Sequence, residues 1–494
     1  MKISSTMAAA APLRAAWRHL PRALGVGVAG AAILAFVAAA VVRRLNFDEA
    51  LALRAGWLLV AHREAAPPFA MPFTGFLGLV GHAVADPGTV FLLARLAVVT
   101  AVLAALVTAF HQTRGGWMAS ALAAVCTLAQ ATFFVHGLEF RYDAAITVCL
   151  LLAWPRLSAG RPRDLAVLGA LAAIVAAHHL KGLVLGTLLL LLGVTRGGAR
   201  ALPKLFAGFL AAGGALVALA ARAGWLGEAR RMYASFFALA RDATRWYAPW
   251  QTLGPTVARD AAWWALAALA VGATAATWRS VSFAEGRHLP EVWALSLAGV
   301  SLAFVPLHPH PWAYMLAPPA PFLGWLAARQ FLALSSRGRW RAAGMAAALL
   351  VAQGVLGPPP FSAHLASFHA PRRAEVAELR WLRRVARPDD AVIDPSGLAY
   401  FLPPCTEEWY VDSLFRERAT AGTWMQELAT AEPSVCPWLL RTYRLDMLPS
   451  RVKQRLAHQY RLVTDGIALW VGDPRSPSLP KGTDAAPTPF DSFW

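Results

Sequence analysis

Four short constellations carry the ionisable side chains that chemistry would need. Asn46-Phe47-Asp48-Glu49 sets two adjacent carboxylates directly after an apolar run. At a membrane surface such acids are costly when desolvated and unpaired. Otherwise they form a solvated turn, with Asp48 as a helix N-cap. His136-Gly137-Leu138-Glu139-Phe140-Arg141-Tyr142-Asp143 is a second acid cluster. Its simplest alternative is a local Arg141–Glu139 or Arg141–Asp143 surface pair, worth little energy. His178-His179-Leu180-Lys181-Gly182 offers one cation between apolar runs. A lysine there either snorkels to head groups or holds a phosphate as a point charge. Adjacent histidines do not share a helix face, so they make a poor metal pair. His308-Pro309-His310-Pro311-Trp312-Ala313-Tyr314 spaces two histidines i, i+2 in a segment where proline breaks the helix. It suits a metal or a phosphate, or it is a rigid interfacial loop.

The elements that must position these residues follow from composition. The chain has 494 residues, of which 57% are hydrophobic and 15% charged. A soluble domain is nearer one quarter charged, so a soluble enzyme, a disordered chain and a fibrous repeat are excluded. The net charge of +18 does not point to nucleic acid. The last 124 residues balance 16 basic against 16 acidic side chains, leaving 30 basic and 12 acidic ones in the apolar first 370. A nucleic-acid module would gather its charge on a polar domain instead.

Apolar runs of spanning character recur at Ala23–Val42, Thr89–Phe110, Trp117–Val135, Ala144–Trp154, Leu165–His178, Gly182–Val194, Leu205–Ala221, Ala261–Thr277, Leu289–Val305, Ala313–Ala328 and Ala342–Gly357. The first resembles a cleaved signal peptide, but the runs that follow favour a signal anchor with a cytoplasmic N-terminus. Eleven spans put the tail on the opposite face. The short segments assigned to the cytoplasm hold Arg14, Arg18, Arg22, Arg114, Arg156–Arg163, Arg196–Lys204, Arg279, Arg287 and Arg329–Arg341, as the positive-inside rule requires. They contain three acids, Asp164, Glu285 and Glu291; the other nine acids of this region fall on the outer side. Acids gathered at one face mark a site there, and all four constellations fall on that face. The first outer segment, 43–88, carries amphipathic pieces, Glu49–Glu64 and Phe69–Val84, suited to helices lying in the interface. A second, Arg222–Asp260, is rich in arginine and aromatics, among them Arg230 and Arg231.

The tail, 358–494, reads as a small α/β domain. Glu375–Val385 has helical spacing, Ala391–Ile393 is a strand, and Tyr460–Val463 with Ile467–Val471 forms a hairpin around Asp465-Gly466. The end, 476–494, is rich in proline and serine and reads as loose. Cys405 and Cys436 would pair in an oxidising compartment, although spacing alone does not show it. Cys126 and Cys149 lie in apolar runs and read as inert core residues. P-loop, HExxH and CxxC motifs are absent from the sequence, so any donor must be activated elsewhere.

The order of motifs resembles a known family. Phe47-Asp48-Glu49 after the first run is followed by Pro67-Pro68-Phe69, a stretch ending near Gly81, and Leu93-Ala94-Arg95-Leu96 opening the second run. Arg141-Tyr142-Asp143 and Lys181-Gly182 come later. This arrangement resembles the GT-C glycosyltransferases, in the branch of the protein O-mannosyltransferases and the lipid A aminoarabinose transferase. One departure is Ala65-Ala66 before the proline pair, where many relatives carry a charge; Arg63 and Glu64 stand two residues earlier.

The resemblance implies a polytopic α-helical membrane protein of GT-C type, with a catalytic region over 1–357 and an extracytoplasmic tail. It implies inverting transfer of a sugar from a polyprenyl-phosphate donor to a glycan, lipid or protein acceptor outside the cytoplasm. The implied base is Asp48, with Asp143 as a second acid that orients acceptor or sugar. Glu49 would hold a divalent metal, if one is used, or tune Asp48. Cations at the leaving phosphate would lower the barrier, and Arg54, Arg95, Lys181, Arg230 and Arg231 are candidates. Glu139, Arg141, His308, His310 and Tyr314 complete the expected substrate-binding set. Two other classes compete. A transporter or lipid flippase would carry ionisable groups deep in its spans. A scaffold would bind a partner through Trp409, Tyr410, Trp424 and Trp438 of the tail.

Overall fold

A computed structural model describes residues 27–43, 45–61, 71–113, 116–178, 180–227, 230, 249–278, 289–307, 313–336, 372–387, 389–405, 434–442, 445, 450–464 and 466–475. Helices dominate, and the chain divides into two compact units. The first takes residues up to Val42, Arg95–Ala221 and Tyr233–His369; the second takes Arg43–Ala94, Arg222–Met232 and Ala370–Trp494.

Among the described residues the first unit is all-helical. Its helices are α1 (Gly27–Val42), then α4 (Pro87–Gln112) from Arg95 on, α5 (Gly116–Leu128), α6 (Ala131–His136), α7 (Tyr142–Ala159), α8 (Pro162–His178), α9 (Leu180–Gly197) and α10 (Leu202–Arg222). After these come α11 (Pro249–Arg259), α12 (Ala261–Trp278), α13 (Pro290–Leu307) and α14 (Ala320–Ser336). Most match apolar runs of the sequence within a few residues. Two runs do not form single helices. The run 117–135 breaks at Gln130 into α5 and α6, and the run 313–328 begins as a 3-10 turn, Ala313–Leu316, before α14. The run Ala342–Gly357 lies outside the described residues.

Among the described residues, α4 and the helix spanning Ala199–Arg222 are long and apolar enough to cross a membrane; α1 and parts of α5, α9, α12 and α13 are shorter apolar helices. On α10, Leu210 is 67% exposed and Leu219 63%, and Leu269 on α12 is 69% exposed. Apolar helices with such outward faces call for an apolar surrounding. Inward, Trp154 is fully buried. Its indole N–H donates to the Pro290 carbonyl (2.8 Å), and its ring meets Trp325 edge-on at 4.7 Å. Gly160 closes α7 at φ 61°. Beside it, Arg196 donates to the carbonyls of Leu157 (2.8 Å) and Ala159 (3.3 Å), which fills acceptors that the helix end leaves open.

The second unit combines α2 (Phe47–Ala61), α3 (Met71–Ala83) and the start of α4 with the tail. The sequence marked 43–88 as amphipathic pieces. Instead α2 is apolar and buried around most of its circumference, from Glu49 to Gly56 and at Leu58 and Leu59. It packs backbone to backbone on α3, because a Cβ at Gly56 would strike the Thr74 carbonyl and one at Gly78 the Gly56 carbonyl.

The tail holds α15 (Arg372–Val385), β1 (Val392–Ile393), β2 (Trp438–Leu440), α16 (Ser450–Gln459), β3 (Tyr460–Leu462) and β4 (Ile467–Trp470). The sheet order is β1-β2-β4-β3, with β1 parallel to β2 and the β3–β4 hairpin antiparallel. The helix, first strand and hairpin follow the sequence reading; β2 and α16 were not foreseen. Ile393, Leu439, Leu456 and Tyr460 share its core, and Cys405 and Cys436 form a disulfide with Cα atoms 5.7 Å apart.

Among the described residues, polar ties bind 43–94 to the tail. The Leu45 amide donates to Glu375 (3.1 Å). Arg54, fully buried, donates to Asp394 (3.4 Å) and to the Leu402 carbonyl (3.2 Å). Arg380 forks onto Asp86 at 2.5 and 2.8 Å.

At the far end of the tail, Arg475 bridges Asp390 and Asp473, each at 2.7 Å. Burial raises the Asp390 carboxyl, but hydrogen bonds from Arg475, the Arg387 amide and Trp438 outweigh it and hold it below the usual range. Asp473 is lowered chiefly by its hydrogen bond from Arg475.

Two outcomes follow from this packing. Gly78→Ala should destabilise the chain by roughly 1–3 kcal/mol through forced helix separation, while Gly214→Ala, whose Cβ meets nothing within 4 Å, should be neutral; thermal unfolding in detergent checks both. Depressed carboxylates stabilise above their unfolded values near ~4 and lose that contribution as pH falls through the folded values. Amide protection factors in β2, which correct for the intrinsic exchange rate, should therefore fall below about pH 4 in the native chain, and those of Arg475→Gln should be lower already at neutral pH.

Candidate functional site

In the first unit the polar side chains converge on the segment 130–143, where the apolar run is interrupted. Gln130 is the N-cap of α6, and its side-chain oxygen accepts from the Phe133 amide (3.1 Å). Asp260, 1% exposed, accepts from the Ala131 amide (3.2 Å) and from the amide and hydroxyl of Thr132 (both 3.4 Å). A carboxylate at a helix N-terminus meets both orphan donors and the dipole. The Trp263 indole donates to the Cys126 carbonyl (2.7 Å), and the Gln130 amide to the Leu316 carbonyl (3.4 Å). The helix break is thus anchored from both sides.

From this anchor the short α6 delivers His136, and the chain turns through Gly137–Arg141 into α7. Glu139 is fully buried. Its carboxylate meets His136 Nδ1 at 2.9 Å and Arg141 Nη1 at 3.4 Å. Arg141 Nε lies 3.8 Å from Asp143 Oδ2. Its guanidinium stacks 3.7 Å over the Tyr314 ring, whose hydroxyl lies 3.4 Å from that of Tyr142. The pairs Arg141–Glu139 and Arg141–Asp143 that the sequence suggested therefore exist, but they are buried rather than on the surface. Asp143 sits in the first turn of α7, where a carboxylate is favoured. His136, Arg141, Asp143 and Tyr314 line a small pocket with room for about one water. One cation between two carboxylates with an aromatic floor suits a hydroxyl group, which can donate to a carboxylate and accept from the guanidinium.

In the second unit, the start of α2 corrects one expectation. Asn46, not Asp48, is the N-cap: its side-chain oxygen accepts from the Asp48 amide (2.8 Å). Glu49, fully buried, reaches back to the Asn46 amide (3.2 Å). Together they form a capping box. Asp48 occupies the second helical position and is partly exposed.

The remaining expected residues separate by role. Arg54 holds Asp394 and the Leu402 carbonyl, as above. Asp394 in turn accepts from the amides of Ser396 (3.0 Å), Gly397 (3.1 Å) and Ala399 (2.7 Å). Burial lowers the Arg54 guanidinium to about 10, opposed by Asp394, so it stays charged at neutral pH. Arg95 is fully buried and donates to the Ala40 carbonyl near the end of α1 (3.3 Å). Arg230 is exposed. Lys181 belongs to the first turn of α9, but its side chain, like all of Arg231, His308 and His310, lies outside the described residues. His178 donates through Nδ1 to the Ile174 carbonyl (2.6 Å), an intrahelical role. Among the described residues no three His, Cys, Asp or Glu side chains gather to hold a metal ion.

Asp260 and Gln130 were missed by sequence reasoning. Asp260 was visible as an outer acid at the start of an apolar run, but its partners lie 128 and 129 residues away.

No protein-family model matches the sequence, and no curated protein sequence matches it. Solved structures do share its fold. ArnT from Cupriavidus metallidurans bound to undecaprenyl phosphate superposes with a TM-score of 0.60 at 15% identity, covering 91% of this chain and 98% of that one. The same protein in the apo state gives 0.58 at 14% identity, covering 92% and 98%. The chain thus shares the fold of these structures.

If Asp260 anchors the helix break, Asp260→Ala strands three donors and should cost roughly 1–3 kcal/mol. Asp260→Asn keeps one acceptor oxygen and should cost less. Thermal unfolding in detergent compares them; equal stability of Asp260→Ala and native protein would refute the anchor.

Proposed function

We propose that this chain is an integral membrane glycosyltransferase. It moves a sugar from a polyprenyl-phosphate donor to an acceptor at the outer face of the membrane, with inversion at the anomeric carbon. The observation that carries the reading is a fold shared over nine-tenths of both chains with a protein that binds undecaprenyl phosphate. Three features support it. Apolar helices with exposed leucines suit a bilayer. A disulfide in the tail suits an oxidising compartment, hence a tail outside the cytoplasm. The buried Arg141 and Asp143, held with Glu139, give a small pocket a charged lining.

In this reading Asp48 is the general base. It takes the proton of the acceptor hydroxyl or amine as that atom bonds to the sugar C1. The C1–O bond breaks with its electron pair leaving on the polyprenyl phosphate. Glu49 and Asn46 hold the first turn of α2, so their role is to position Asp48. Arg141, fixed between Glu139, Asp143 and Tyr314, orients sugar or acceptor hydroxyls together with Asp143. Arg54 and Arg95 support the scaffold through buried contacts. Compensation of the leaving phosphate then falls to Lys181, Arg230 and Arg231, with His308 and His310 as further donors.

Removing a general base typically costs 10²–10⁴-fold in rate. Asp48→Asn should therefore abolish transfer while the protein reaches the membrane at its normal level. Mass spectrometry of envelope lipids and glycans, from cells expressing either form, reads the missing sugar adduct. An unchanged adduct in a well-expressed Asp48→Asn strain would sink the assignment.

A further inference from the structure

The second unit holds a charged groove that the transfer reaction does not use. It is about 450 Å³ in volume and is lined by Ala85, Asp86, Pro87, Ala377, Arg380, Arg383 and Arg384. Ala377, Arg380 and Arg384 follow i, i+3, i+7 along one face of α15, while Val376, Leu379 and Leu382 on the other face are buried. The acids of α15 are engaged elsewhere: Glu375 takes the Leu45 amide, and the Glu378 carboxylate lies against Gly466.

Within the groove, Asp86 is committed to Arg380 and to the Thr89 amide and hydroxyl (2.8 and 2.7 Å). Three guanidinium groups against one carboxylate leave two positive charges in excess. Arg383 lies 5.2 Å over the Phe401 ring. Its Nη1 is buried, and the guanidinium also bears on the Tyr400 hydroxyl. Arg384 is exposed and makes no ion pair among the described residues. Two arginine forks match the geometry of a phosphate.

The groove also has a depth. Ala85, Asp86 and Pro87 lead into α4, the longest apolar helix among those described. The first residue of a spanning helix lies at the edge of the hydrocarbon, where lipid phosphates reside. We propose that this groove binds the phosphate of a lipid head group, gripped by Arg383 and Arg384 and with Arg380 held in place by Asp86. The inference rests on α4 spanning the membrane and not on the transfer chemistry, so a binding assay tests it independently of activity.

The full chain, purified in detergent, is incubated with radiolabelled phosphatidic acid or phosphatidylcholine and the retained lipid counted. The native protein should retain phosphatidic acid several-fold over phosphatidylcholine. R383Q/R384Q should lower that preference by about fivefold or more, as expected for loss of two charge-assisted forks, while Arg387→Gln, outside the groove, should not. R383K/R384K, which keeps the charge but not the fork, should fall between and serves if the glutamine pair fails to fold. Unchanged retention in a folded R383Q/R384Q protein overturns the site. Full displacement by millimolar sodium phosphate assigns the groove to free phosphate and overturns the lipid as its source.

Discussion

The first unit depends on one interaction, the carboxylate of Asp260 on the buried first turn of α6. An apolar surrounding cannot satisfy backbone N–H groups, so a helix interrupted there needs internal partners. The break at Gln130 exposes such groups. Asp260 and the Gln130 side chain supply acceptors for Ala131, Thr132 and Phe133. With the break secured, α6 can end after six residues and the chain can turn through Glu139 and Arg141 into α7.

The same constraint governs the charges in that loop. A buried ion pair seldom stabilises a fold by itself, because desolvation offsets attraction. Here Glu139 meets His136 and Arg141, and Arg141 meets a second carboxylate and a ring. Such an array fixes geometry more than it adds stability. It holds one guanidinium at a set height and tilt beside a small pocket, which is what orienting a substrate requires.

Much of the fold was legible because apolar periodicity and chain turns are local. The runs at 89–110, 165–178 and 205–221 and the hairpin at 460–471 sit within a few residues of the observed elements. The order of Asp48, Pro67-Pro68, Arg95 and Arg141–Asp143 pointed to a helical membrane fold like that of the ArnT structures, which share this chain's fold. What could not be read was pairing over distance. Asp260 with Thr132, Arg54 with Asp394 and Arg380 with Asp86 join residues 128 to 340 positions apart. Strand β2 was missed because Trp438–Leu440 is only three residues long and gains its place from β1 and β4 on either side. The N-cap was assigned one step away because Asp48 and Asn46 are both good caps. The choice falls to Asn46 once Glu49 stands three residues after it and closes the box.

The arginines show how such distant pairing divides structural from functional cations. Sequence alone does not separate Arg54, Arg95, Arg141, Arg383 and Arg384. Burial separates them by what their donors meet. Arg54 reaches a carboxylate and a carbonyl, and Arg95 a helix-end carbonyl, so replacing either should first disturb packing. Arg141 is equally buried but lines a pocket, so it can serve a substrate without moving. Arg383 and Arg384 border open space, and the one acid of their groove is already held by Arg380 and Thr89. A cation needs a counter-charge when desolvated. Where the chain itself supplies that charge, the arginine is part of the fold; where it does not, a bound anion completes the site.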